Sequence, residues 1–340
     1  MSDHHDFMRR CLVLAARGQT LVSPNPMVGA VVVYQGEIVA EGWHKAFGAP
    51  HAEPDALSVL PPEIPRKDCT LYVNLEPCAH FGKTPPCAQL LVDQGIGKVV
   101  VGSSDPNPLV NGKGIELLTT AGIQVETGVL EEECDELNRR FMAFHKRKRP
   151  YVILKWAVSA DGFMAPESLE RVQISSPEVR LRLHQWRAQE DAVLVGATTA
   201  STDNPLLDTR LAPDKNPVRI ILDPKLRAPK LNGDAPTLVF NCSKEGVEEN
   251  YTYIKLPLGF QLSSVMQSLY ERKVLSVLVE GGPTTLQHFM DAGLVDEIRI
   301  IRSKTMKIGN GLKAPVCDLK LQSQEDLGTD TIEIYRGGIT

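Results

Sequence analysis

Apolar runs, cut by glycine, proline and polar pairs, recur along the whole chain, and their period alternates between that of a helix and that of a strand. Residues 7–18 repeat apolar positions at helical spacing and close on glycine. The stretch MVGAVVVYQGEIVAEG gives two β-rich runs, 28–34 and 37–41, joined at Gln35-Gly36 as a hairpin. HAEPDALSVL, starting at His51, predicts a helix whose Pro54 falls in the first turn, where a missing N–H costs nothing. CTLYVNLEPC predicts a strand running into a turn, residues 84–95 a helix opened by Pro85 and Pro86, and KVVVGSSDPNP a buried strand ending in a polar loop. A further helix, a short strand and one charged helix from Glu131 to about Lys146 complete this half.

HKRKRP, residues 145–150, is a basic run beside proline and reads as a solvated boundary rather than a nucleic-acid patch. It divides the chain into domains 1–147 and 148–340. Beyond it the alternation restarts, with strands expected at 151–159, 191–196, 217–223, 237–241, 274–280 and 296–302. Helices are expected at 177–189, 262–272 and 283–292. Both halves therefore belong to the α/β class, each a sheet covered by helices.

Composition narrows the function. A chain of 340 residues exceeds one ordinary core, and its 42% hydrophobic and 23% charged content is that of a globular protein. A net charge of −5 argues against a general nucleic-acid binder. The acidic, His-bearing N-terminus has no secretory pattern, and no run reaches the about eighteen apolar residues of a spanning helix. Seven scattered cysteines, an odd number, fit a reducing compartment, so a cytoplasmic protein is expected.

The chemistry concentrates in EPCAHFGKTPPC, where eight residues separate Cys78 from Cys87. A redox pair is normally Cys-x-x-Cys at a helix start, and a structural zinc site offers four ligands in short-spaced pairs. No second pair exists here: Cys11, Cys69 and Cys134 fall in helical or strand patterns as small hydrophobes. A catalytic zinc needs only three protein ligands and an open position. His51 supplies the third, and Glu53 follows two residues later, giving the His-x-Glu and Pro-Cys elements of zinc nucleobase deaminases. Pro85 and Pro86 set Cys87 at a helix start, where a thiolate is favoured. Zinc would lower the pKa of its water to about 7, and Glu53, near the metal but not a ligand, would carry the proton to the leaving amine. Of the three readings the catalytic zinc fits best, the structural zinc next and the redox pair least.

These residues carry a resemblance. HAE with EPCxHxGxTPPC, preceded by NPMVG and followed by DPNPxVxGKG, resembles the bifunctional riboflavin-biosynthesis deaminase/reductase family over nearly the whole chain. The resemblance implies a cytidine-deaminase-like N-terminal domain and a dihydrofolate-reductase-like C-terminal domain. The implied reactions are deamination of 2,5-diamino-6-(5-phosphoribosylamino)pyrimidin-4(3H)-one, then reduction of the ribosyl group to ribityl with NADPH. By motif, His51, Cys78 and Cys87 match the Zn2+ ligands and Glu53 the proton shuttle. Asn25, His44, His80, Lys83, Asp105 and Asn107 match the deaminase pocket. The expected partners are the small phosphoribosyl-pyrimidine substrate and further copies of the chain in a homo-oligomer, with neither nucleic acid nor membrane.

The second half lacks a Gly-x-Gly-x-x-Gly after any expected strand. VLVEGGPTTLQHFMDAG still ends a β-rich run at Glu280, turns on two glycines and opens a helix near Pro283, a start suited to phosphate. LKWAVSADG, RAQEDAVLVGATTASTDNPLLDTR and VEGGPT resemble the reductase segments of the same family. The resemblance assigns Lys155, Arg187, Leu207, Arg210 and Glu280 to the substrate. It assigns Val158, Thr199, Asp203, Gly281, Gly282, Pro283, Thr284 and Thr285 to NADPH, with Lys155, Asp203 or Glu280 helping hydride delivery. One departure stands out: where the family carries Ser-x-Trp-Ile, this chain has Arg171 at the serine, on the substrate side, and Gln173 at the tryptophan, on the cofactor side. A second reading is thus a deaminase whose C-terminal half is inactive or altered.

Overall fold

The computed structural model describes residues 4–79, 85–108, 110–168, 172–212 and 215–337. The chain divides into two compact units, Met1–Arg147 and Lys148–Thr340.

In the first unit, α1 (His4–Ala16) precedes the hairpin β1 (Gly29–Tyr34) and β2 (Glu37–Trp43). Then come α2 (Ala52–Ser58), β3 (Thr70–Leu75), α3 (Cys87–Asp93), β4 (Lys98–Ser103), α4 (Lys113–Thr120), β5 (Gln124–Thr127), α5 (Glu131–Leu137) and α6 (Arg139–Arg147). The described strands form one sheet in the order β2-β1-β3-β4-β5, antiparallel through β3 and parallel from β3 to β5. Alternate residues feed opposite cores: Ala30, Val32, Leu71, Val73, Val99 and Val101 meet α2, α3 and α4. Val31, Val33, Tyr72 and Val100 meet α1 and the start of α5. Strands buried on both faces read as continuous apolar runs, which is why GAVVVY and KVVVGS are so legible.

The single charged helix expected from Glu131 to about Lys146 is broken at Asn138. Its buried side chain holds the backbone of Met27 at both polar groups, accepting from N at 2.8 Å and donating to O at 2.9 Å. Satisfying a half-buried loop in this way outweighs one more helical turn. The expected 84–95 helix begins three residues later, at Cys87, and Thr84 lies outside the described residues.

The second unit runs β6 (Tyr151–Val158), β7 (Phe163–Pro166), α7 (Pro177–Gln189), β8 (Ala192–Gly196), α8 (Ala197–Asp203), β9 (Val218–Leu222), β10 (Thr237–Asn241), β11 (Gly246–Glu248) and β12 (Tyr251–Lys255). It continues with α9 (Leu262–Glu271), β13 (Ser276–Val279), α10 (Pro283–Asp291), β14 (Glu297–Ser303), β15 (Gly311–Lys313), β16 (Lys320–Leu327) and β17 (Asp330–Arg336). Its main sheet has the order β11-β12-β10-β9-β8-β13-β6-β14-β17-β16, parallel from β12 to β14, and β7 pairs with β15 separately. The core on one face joins Val152, Leu154 and Trp156 of β6 to Val265 and Leu269 of α9 and Leu286 and Phe289 of α10. The carboxyl ends of β6, β8 and β13 thus come together, the usual place for a ligand crevice in a parallel sheet. No helix among the described residues is long and apolar enough to cross a membrane.

Candidate active sites

In the first unit α2 packs tightly on β2: a Cβ at Gly42 would lie 2.2 Å from the backbone N of Ala56. This fixes His51, the residue capping α2, and Glu53, its second residue and only 3% exposed. Cys87 opens α3, and Cys78 lies in the turn after β3, where its carbonyl accepts the N–H of Ala88 at 3.1 Å. The ligand atoms of His51, Cys78 and Cys87 fall within 4.8 Å of one another. His51 Nδ1 stands 3.7 Å from Cys78 Sγ and 3.3 Å from Cys87 Sγ. A tetrahedral zinc with ordinary bond lengths sets its nitrogen and sulfur ligands about 3.6 Å apart, so the three fit that ion.

Charge in the cluster is unequal. The Cys87 thiol, the His51 ring and the Cys87 N–H, at 3.3 Å, all serve Cys78 Sγ and hold its pKa down to about 4 against its burial. Cys87 is pushed the other way by its bond to Cys78 and by burial, so it keeps its proton. A divalent cation displaces such a proton on binding. Burial, then the neighbouring Cys78, raises the pKa of the Glu53 carboxyl.

His44 and Asn25 stand beside this cluster. The His44 ring lies 5.4 Å from that of His51, edge to face. Its Nδ1 donates to the carbonyl of Pro50 at 2.9 Å, so Nε2 accepts from Asn25 Nδ2 at 3.1 Å. Burial, aided by the approach of His51, lowers its pKa and keeps it neutral. Asp105 is 7% exposed, and burial pushes it up to about 6, with Glu76 and Cys78 adding to the effect. Its Oδ1 accepts the N–H of Asn107 at 2.8 Å. His80 and Lys83 lie outside the described residues. Sequence reasoning missed Glu76 and Asn74, both buried next to the site. Asn74 donates to Met27 O at 3.1 Å and accepts from Gly29 N at 2.8 Å, tying down the segment that carries Asn25.

In the second unit a cleft of ≈ 1120 Å³ opens where β6, β8 and β13 end. Lys155, Arg187, Leu207 and Glu280 line it, as do Gln173, Thr199 and Asp203. Gly281, Gly282, Pro283, Thr284 and Thr285, from the turn into α10, line it as well. The turn is closely packed: a Cβ at Gly196 would lie 2.6 Å from Thr285 Oγ1, and one at Gly281 would lie 2.6 Å from Thr285 Cβ. Arg187 grips Glu280 with both forks, Nε at 2.7 Å and Nη2 at 2.9 Å, and Lys155 Nζ stands 3.7 Å away. Burial works to raise the Glu280 pKa, but the two cations outweigh it and hold the carboxyl down to about 2. For Lys155 burial wins over Glu280 and lowers its pKa. Val158 and Arg210 are not among the lining residues: Val158 is 2% exposed in the core, and Arg210 is paired with Asp208. Gln173 spends its amide on Ser175, donating to Oγ at 2.9 Å and to O at 3.1 Å. Arg171 lies outside the described residues.

Two family profiles match these two halves. One, for the cytidine and deoxycytidylate deaminase zinc-binding region, covers residues 1–103; the other, for the RibD C-terminal domain, covers 150–332. The chain belongs to the RibD family. The riboflavin biosynthesis protein RibD of Aquifex aeolicus (strain VF5) is 41% identical over 349 residues, spanning 97% of this chain and 98% of that protein. RibD of Escherichia coli (strain K12) is 36% identical over 320 residues, spanning 88% and 86%. A solved structure from Thermotoga maritima, a diaminohydroxyphosphoribosylaminopyrimidine deaminase/5-amino-6-(5-phosphoribosylamino)uracil reductase, superposes with a TM-score of 0.89 at 37% identity over 98% of both chains. RibD of Acinetobacter baumannii does so at 0.87, with 31% identity over 98% of both chains. Like its relatives in the RibD family, this chain is a bifunctional enzyme of riboflavin biosynthesis, a deaminase joined to a reductase. The α/β class expected for both halves holds.

Proposed function

We propose that residues 1–147 deaminate 2,5-diamino-6-(5-phosphoribosylamino)pyrimidin-4(3H)-one and that residues 148–340 reduce the resulting 5-amino-6-(5-phosphoribosylamino)uracil with NADPH. The substrates are those in the name of the Thermotoga maritima protein, and the near-complete overlap with that chain supports carrying them over. The observation that carries the first step is the His51, Cys78 and Cys87 cluster with buried Glu53 beside it. Zinc held by those three residues supplies Lewis acidity, which makes hydroxide available from water near neutral pH. Glu53 takes the water proton and returns protons to the ring nitrogen and then to the departing ammonia, a task suited to a carboxyl raised by burial. His44, fixed in one tautomer by Pro50 and Asn25, offers a neutral edge to the pyrimidine. Asp105 and Asn107 close the pocket around the ring.

In the reductase cleft NADPH supplies the hydride. Glu280 holds Arg187 by its paired bond and Asp208 O takes one Nη1 hydrogen, leaving one hydrogen on each of Nη1 and Nη2 and Lys155 to meet the phosphosugar. As the sugar carbon takes the hydride, its ring oxygen needs a proton, and Lys155 Nζ, lowered by burial, is suited to give it. The turn 280–285 receives the cofactor phosphates. A cytoplasmic site of action fits the seven unpaired cysteines.

The direct test is Glu53→Gln. It keeps zinc but loses ammonia release by on the order of 10²–10⁴-fold, while NADPH oxidation with the aminouracil substrate persists. Near-normal ammonia release by that variant would sink the assignment.

A further inference from the structure

Glu76 leaves the end of β3 two residues before Cys78 and is 4% exposed, yet neither half-reaction uses it. Its carboxylate accepts four backbone N–H groups. Oε2 takes those of Asp105 at 3.3 Å and Gly112 at 3.0 Å; Oε1 takes those of Gly114 at 3.0 Å and Ile115 at 3.4 Å. A carboxylate has about four lone-pair sites, and all are engaged. The donors come from both ends of the segment that leaves β4 and enters α4, the one bearing Asp105 and Asn107. The backbone seals the same contact: Glu76 N donates to Ser103 O at 2.9 Å. Gly114 is pressed so close that a Cβ there would lie 2.0 Å from Pro77 O and 3.2 Å from Glu76 Oε1. One side chain thus ties the turn carrying Cys78 to the loop bearing Asp105 and Asn107.

We propose that Glu76 is a positioning residue of the deaminase, fixing Asp105 and Asn107 in register with the metal-binding turn. It touches no substrate and acts through the loop, so its loss falls on substrate binding before it falls on the chemical step. The inference rests on the reading of Asp105 and Asn107 as pocket residues.

The test measures ammonia release, zinc content and NADPH oxidation in one preparation of Glu76→Gln. The amide keeps the length but turns an acceptor oxygen into a donor facing backbone N–H groups. Expected are a KM raised about tenfold, a kcat within about threefold of the parent, and an unchanged reductase rate. Zinc should stay at about one per chain. Gly114→Ala, which strains the contact from the loop side, should show the same split and carries the test if Glu76→Gln does not fold. An unchanged KM in the folded variants, with Asp105→Asn raising it, overturns the role of Glu76. Loss of zinc with collapse of kcat overturns it in favour of a structural part in the metal turn. A raised KM in Glu76→Gln that neither Asp105→Asn nor Asn107→Ala reproduces overturns the pocket reading, and the proposed route with it.

Discussion

Cys78 and Cys87 show what a short linear motif carries and where it stops. Three donors meet within 4.8 Å although His51 lies 27 residues before Cys78, because two helix starts and one turn point at the same place. The residue types announced that chemistry in the sequence. Glu76 announced nothing, since its partners are backbone N–H groups 29 to 39 residues further on and only folding brings them near. Cys78→Ser should leave a chain that retains less than about a tenth of the parental zinc, because a hydroxyl replaces a thiolate on a soft-tolerant ion; metal analysis after dialysis checks this. Gln173 lines the cleft at the position where the resemblance leads one to expect a tryptophan, but its amide is turned onto Ser175. Gln173→Trp should therefore tighten NADPH binding by about two- to twelvefold, the worth of an added aromatic contact. A fluorescence titration that finds no change would show that the cofactor does not stack there.

At the scale of elements, the strands buried on both faces were the most readable, and the expected and observed spans agree within a residue or two. The hairpin of β16 and β17 was not read, because β16 is exposed almost throughout and its KLQSQEDL has no apolar face to signal. The α5–α6 break was missed for a different reason: Asn138 serves a loop 111 residues away. Replacing it with leucine takes the side-chain acceptor from the half-buried Met27 N–H, while Met27 O keeps Asn74 Nδ2, and should lower stability of the first unit by about 1–3 kcal/mol, read by urea unfolding. In the second unit, Glu280 joins β13, α7 through Arg187 and β6 through Lys155. Its folded pKa of about 2 lies below the unfolded carboxylate value of about 4.3, so its contribution is complete above that value and fades as pH falls toward 2. Glu280→Gln should be less stable at pH 7 by about 3–5 kcal/mol, and the gap should narrow as the pH drops through that window. A gap that stays constant in tryptophan-monitored unfolding would mean the carboxylate is not the group responsible.

For the whole molecule, one compact unit holds the His51, Cys78 and Cys87 cluster and the other the cleft lined by Lys155, Arg187 and Glu280. Length and the basic run at 145–150 led to the expectation of two domains, and the alternating patterns gave both halves their class. In the proposed account the reductase takes the product of the deaminase. Removing metal with a chelator should abolish ammonia release while leaving NADPH oxidation on the aminouracil substrate within about twofold, since none of the cleft residues is a zinc ligand. The decisive measurement gives the zinc-loaded chain the diaminopyrimidinone substrate and NADPH together and follows ammonia and NADPH absorbance in one vessel. The two-step account predicts that ammonia appears first and that NADPH then falls by an equal amount. Ammonia released while NADPH stays constant would contradict it.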